Sequence, residues 1–133
     1  MTNSDLPEKT RLLVLDDEAV LREAISRFFV MRGYDVDVAS ELEEAEALIA
    51  ASTAAYAAVI VDLRLTAGAG AEGLEFLRFV RERSRSTAVV VLSAYGSTEI
   101  EERARELGCE AFLSKPRPLD EIADVIRNLL ERK

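Results

Sequence analysis

The chain predicts an α/β domain built on a doubly wound parallel sheet, and two features carry that prediction. Four short apolar runs, Leu12–Leu15, Ala58–Val61, Ala88–Leu92 and Ala111–Leu113, alternate with longer segments whose apolar residues recur at helical spacing. Each run is nearly continuous rather than alternating, as expected of strands buried on both faces beneath covering helices.

Arg11 to Leu15 is the first strand. From Glu18, the residues Leu21, Ile25, Phe28 and Phe29 mark the inner face of a helix that ends near Arg32, with Gly33 placed for a left-handed cap. Tyr34 to Val38 alternates apolar with acidic residues and reads as an outer strand with one side toward solvent. Ser40 and Glu43 form a capping-box pattern ahead of a second helix with Leu42, Ala45, Leu48 and Ile49 inward. The small-residue stretch Ala51 to Ala55 leads into the strand ending at Asp62, and a loop carrying Gly68, Gly70 and Gly73 precedes a third helix that begins near Glu72 to Leu74. Leu74, Leu77 and Val80 are its inward residues, and Glu82 to Thr87 returns the chain to the sheet. Ser97 caps a fourth helix with Ile100, Ala104 and Leu107 inward and Gly108 at its end. The fifth helix starts at Pro118 or Leu119 and buries Ile122, Val125, Ile126 and Leu129. Right-handed crossovers then bring every strand's carboxyl end to one side.

With 133 residues the chain can bury roughly two thirds of its unfolded surface without disulfides. Its one cysteine, Cys109, reads as a small, half-buried hydrophobe, and the absence of histidine excludes a His/Cys zinc site. A net charge of -8 opposes direct nucleic-acid binding and contact with anionic membranes. No apolar run has the length of a membrane span, and Met1 to Thr10 reads as a mobile polar tail without the apolar core of a signal peptide, so a cytoplasmic location is expected.

The strand ends gather an unusual set of groups: Asp16 and Asp17, Asp62, Ser93 and Lys115. In open α/β sheets this edge is where ligands bind. Carboxylates about 4 Å apart repel by roughly 4 kcal/mol per pair at an effective dielectric near 20. Lys115 can offset one charge; a hard divalent cation, Mg²⁺ before others, suits the remainder. An ammonium, a hydroxyl and such a cation make a site for a phosphoryl group, with Asp62 placed to attack phosphorus and form an acyl phosphate.

The elements LLVLDDE at 12 to 18, VIVDL at 59 to 63, VVVLSA at 89 to 94 and AFLSKP at 111 to 116 together resemble a response-regulator receiver domain of two-component signal transduction. That resemblance spans Arg11 to Glu131 and implies a flavodoxin-like five-stranded sheet of order 2-1-3-4-5 with five helices, residues 11–133 forming the domain. It implies that Asp62 is the phosphoacceptor, that Asp17 binds Mg²⁺ directly and Asp16 through water, and that the main-chain carbonyl of Arg64 is a further ligand. Ser93 is similar to the switch hydroxyl, Phe112 to the aromatic that follows its motion, and Lys115 to the phosphate-binding lysine, with a cis bond to Pro116. The implied partners are a histidine kinase or phosphotransfer protein and a downstream effector, with homodimers possible through the face formed by the fourth helix, fifth strand and fifth helix. The charges from Glu99 to Glu106 otherwise read as a solvated helix face.

Two departures from the family pattern stand out. Leu65-Thr66 replaces Met-Pro, and the loop before Gly73 is about three residues longer, which is expected to alter partner docking or metal affinity. Arg64 and Tyr95, two residues past Asp62 and Ser93, are bulky and flank the route of the hydrolysing water, so slow hydrolysis of the phosphoryl group is expected. Two rival readings are a pseudo-receiver working by constitutive protein contact and an enzyme, either a cofactor binder or an aspartyl phosphatase. The intact acidic set argues against the first. Asp16-Asp17 would repel a cofactor phosphate, and Arg64 stands where the phosphatase would want an acid. From the chain length, a stand-alone receiver without a DNA-binding or enzymatic effector is expected, unless the chain is a fragment of a longer protein.

Overall fold

The computed structural model describes residues 10–62, 71–93 and 98–132. The order is β1 (Arg11–Leu15), α1 (Ala19–Met31), β2 (Asp35–Ala39), α2 (Leu42–Ala51), β3 (Ala58–Asp62), α3 (Ala71–Arg83), β4 (Ala88–Ser93), α4 (Thr98–Glu106), β5 (Ala111–Ser114) and α5 (Leu119–Glu131). All strand pairs are parallel, in the order β2-β1-β3-β4-β5. The tail, Ser97 and the Gly68 to Gly70 loop lie outside the described residues, save Thr10. Among the described residues no helix is long and apolar enough to cross a membrane.

Because successive strand residues face opposite sides, each central strand feeds two cores. Leu12, Val14, Ile60, Val90 and Leu92 pack under α1 and α5 with Ile25, Phe29, Ile122 and Ile126. Leu13, Leu15, Val59, Val61 and Val91 pack under α2, α3 and α4 with Ala45, Phe76, Leu77 and Ala104. This double burial is why β1, β3 and β4 read as uninterrupted apolar runs.

Both cap glycines behave as the sequence requires. After α1, Gly33 has φ +96, its N–H donates to Val30 O, and Tyr34 N–H donates to Phe29 O at 3.1 Å. After α4, Gly108 has φ +99, with matching bonds from Gly108 to Arg105 and from Cys109 to Ala104. The first cap explains why β2 starts one residue later than the alternation implies: the Tyr34 ring packs edge-on against Phe29, 5.4 Å between centroids, and belongs to the helix end.

Three further expectations need correction. Ser40 pairs through its N–H and hydroxyl with Glu44 instead of Glu43, because α2 begins one residue later, after Glu41. The inner face of α3 includes Phe76, fully buried and missing from the predicted stripe, since positions 76, 77 and 80 share a helical face. The acid of β2 at Asp37 is half-buried: it accepts from Tyr56 Oη at 2.7 Å and from Arg11 at 3.3 Å.

The end of the sheet opposite the strand carboxyl ends is fastened by one guanidinium. Arg81 donates to the carbonyls of Ser84, Arg85, Thr87 and Gly108 and to Glu110 Oε1, while Glu110 also accepts from Val89 N–H. A Cβ on Gly108 would stand 2.7 Å from Arg81 Nε, whereas one on Gly33 would meet nothing within 4 Å. Gly33→Ala is therefore expected to lose about 1 kcal/mol of unfolding free energy from backbone strain alone. Gly108→Ala is expected to lose at least about 1 kcal/mol more as Arg81 bonds are displaced; equal losses in urea titrations would show that Arg81 gives way freely.

Candidate functional site

Asp16 follows directly on β1 and Asp62 ends β3, and because these strands are neighbours in register, Leu15 opposite Val61, the two acids arrive side by side. Both are about 1% exposed. Asp17, the next residue, is exposed at the rim. One carboxylate oxygen from each of Asp16, Asp17 and Asp62 lies within 4.8 Å of the others.

Lys115 enters from the residue after β5. Its main-chain N–H donates to Ser93 O at 2.9 Å, which ties it to the end of β4. Its Nζ donates to Asp62 Oδ2 at 3.0 Å and stands 3.6 Å from Asp16 Oδ2. The Lys115-Pro116 bond is cis, as the resemblance implies. Ser93, 6% exposed, ends β4 beside Ser114. Phe112 sits opposite Val91 in the register and packs half-buried against the core beneath α4 with Ile100 and Leu107. Arg64 and Tyr95 lie outside the described residues.

The acid pair is held by its own loop. Glu18 N–H donates to Asp16 Oδ1 at 2.8 Å, and Arg22 Nη1 donates to the Asp16 carbonyl at 2.9 Å. Sequence reasoning missed Arg22; a basic residue one turn into a helix reads as solvated, and only the fold shows it reaching back across the loop. Asp16 Oδ2 is buried and accepts no hydrogen bond. Burial, and then the Asp62 carboxylate, push the Asp16 carboxyl above its ordinary value of 3.8, against the Glu18 N–H and Lys115, which pull it down.

Three carboxylates facing one ammonium, with a buried oxygen lacking a donor, fit a hard divalent cation. Asp16, Asp17 and Asp62 are the residues that would hold it.

Fold and site define a doubly wound α/β domain with an acidic cluster at the edge where such sheets bind ligands. A family model described as the response regulator receiver domain matches residues 12–127, and the chain belongs to that family. It is 36% identical over 131 residues to the response regulator Rre1 of Synechocystis, covering 96% of this chain and 54% of that protein, so it spans about half the relative's length. A crystal structure of a response regulator from Burkholderia pseudomallei, with a phosphorylated aspartic acid, a calcium ion and citrate, superposes with a TM-score of 0.79 at 26% identity, covering 94% of this chain and 70% of that one. The beryllofluoride-activated NtrC4 receiver domain dimer superposes with a TM-score of 0.81 at 28% identity, over 92% of this chain and 98% of that one.

The raised Asp16 carboxyl has a sign. A folded-state value above the unfolded one stabilises the fold below pH 3.8 and withdraws that stability as pH rises through the folded value. In chelator, wild type is therefore expected to lose stability relative to Asp16→Asn as pH rises above 3.8, and added Mg²⁺ to restore it at neutral pH. A difference between the two unfolding curves that does not vary with pH would refute the assignment.

Proposed function

We infer that residues 11–133 are a phosphorylation-dependent switch in which Asp62 accepts a phosphoryl group from a histidine kinase or phosphotransfer protein. The observation that carries this is the Lys115 Nζ to Asp62 Oδ2 contact at 3.0 Å inside the three-acid cluster. In the transfer, a bond from an Asp62 carboxylate oxygen to phosphorus forms as the bond from phosphorus to the donor's imidazole nitrogen breaks, the electron pair leaving with the imidazole. Lys115 shifts from pairing the carboxylate to pairing the phosphoryl oxygens, and the Ser93 hydroxyl donates to one of them. Mg²⁺, when bound by Asp16, Asp17, Asp62 and the Arg64 carbonyl, would offset the charge on the equatorial oxygens.

The added charge, about -1.5 to -2 at neutral pH, draws Ser93 toward the site, and Phe112 turns into the space left behind. The changed surface is then α4, β5 and α5, which passes the signal to an effector protein or to a second copy of the chain. The NtrC4 receiver dimer and the phosphorylated aspartic acid of the Burkholderia pseudomallei relative support this reading. So does the net charge of -8, which favours a protein partner over nucleic acid.

Incubation with a small phosphodonor and Mg²⁺, followed by intact mass, tests the reading. Wild type should gain one phosphoryl group, and Asp62→Asn or chelated samples none. A folded wild type of unchanged mass, or a modification that survives Asp62→Asn, would overturn it. Followed over time, the same assay should show Tyr95→Ala shortening the phosphoryl lifetime; an equal lifetime would remove Tyr95 as a shield.

A further inference from the structure

Every polar group of Asp16 has a defined fate. Its N–H donates to Ala39 O at 3.1 Å, its Oδ1 accepts from Glu18 N–H at 2.8 Å, and its carbonyl accepts from Arg22 Nη1 at 2.9 Å. Only Oδ2 is left without a hydrogen bond, and it faces Lys115 Nζ at 3.6 Å. The Arg22 bond differs from the other two in what it holds. Ala39 continues the sheet and Glu18 fixes the Asp16 side chain, but the Asp16 carbonyl belongs to the peptide unit whose nitrogen is that of Asp17. Because a peptide unit is planar, pinning its oxygen fixes where the Asp17 nitrogen and Cα lie and so narrows the directions its side chain can take. Arg22 can do this because it sits in the first turn of α1, half-buried, with its own N–H bonded to Glu18 O at 2.8 Å. Its backbone is therefore fixed by the helix that starts where the acid loop stops.

We propose that Arg22 is a positioning residue for the cation site: through the Asp16–Asp17 peptide it aims the exposed Asp17 carboxylate at the space shared with Asp16 and Asp62. This rests on the reading of those acids as the holders of a divalent cation. The sign of the effect separates positioning from simple electrostatics. A guanidinium next to the acids repels an incoming cation, so by charge alone its removal tightens Mg²⁺ binding. Positioning requires the opposite, since groups that orient metal ligands cost on the order of tenfold or more in affinity when lost.

The test is Mg²⁺ titration by calorimetry on wild type, Arg22→Ala, Asp17→Asn and the double variant, with urea unfolding in chelator as the second readout. Arg22→Ala should weaken Mg²⁺ binding roughly tenfold, and should cost no further affinity once Asp17 is already Asn. Unchanged or tighter binding by Arg22→Ala would overturn the proposal, as would an equal loss in the Asp17→Asn background, which would mean that Arg22 does not act through Asp17. Should Arg22→Ala fail to fold in the chelator series, Arg22→Met, which keeps most of the aliphatic stem without charge or donor, is titrated in its place and judged by the same outcomes. A wild type that binds no Mg²⁺ would bring down the cation reading itself, a result distinct from an Arg22 variant that binds as wild type does.

Discussion

Like charges brought together at low dielectric are the constraint on which this molecule turns. Parallel pairing of β1 with β3 leaves no choice about where Asp16 and Asp62 meet, and both are withdrawn from water there. At about 4 Å and an effective dielectric near 20, each pair of ionised acids costs roughly 4 kcal/mol, comparable to much of a small domain's net stability. Lys115 offsets part of that cost, and it does so from the edge strand β5. The charge balance of the site is thus coupled to the position of β5 and, through the Lys115 N–H to Ser93 O bond, to the end of β4. The elements that carry Lys115 and Ser93 are the ones that border α4 and α5.

The two ends of the sheet differ in the charge they gather. At the amino ends of the strands, Arg81 closes four carbonyls and Glu110 while its buried Nε finds no acceptor, and Thr87 Oγ1 donates to Tyr56 O at 2.7 Å. At the carboxyl ends a buried carboxylate oxygen is left without a donor. An unmet buried acceptor costs on the order of 1–3 kcal/mol, a cost that a cation bound beside it would offset. Cys109 lies at the amino end: burial pushes its thiol up to about 11, which leaves it a protonated, packed side chain at neutral pH.

Much of this was legible in the chain because it lies in local pattern. Gly33 and Gly108 mark helix ends through backbone sterics, the apolar runs mark buried strands, and an acid, a hydroxyl or an ammonium closing such a run marks the edge where it emerges. What escaped were the side chains that act across the fold. Arg22 and Arg81 carry no signal in the sequence because a guanidinium's reach is long and its targets are main-chain carbonyls, which have no sequence signature. Asp37 read as a solvent-facing acid because its partners, Arg11 and Tyr56, come from two other parts of the chain. Phe76 was passed over because a stripe drawn from Leu74 omitted the neighbouring face. The Ser40 cap chose Glu44 because the helix start moved by one residue, a shift within the reach of a flexible carboxylate.

The most direct measurement of the central constraint is anomalous diffraction from crystals soaked in Mn²⁺, a stand-in for Mg²⁺ with a usable signal. One peak is expected among the carboxylate oxygens of Asp16, Asp17 and Asp62, on the side of the cluster away from Lys115 Nζ. Acids splayed apart with no peak between them, at Mn²⁺ concentrations that saturate other oxygen sites, would contradict it.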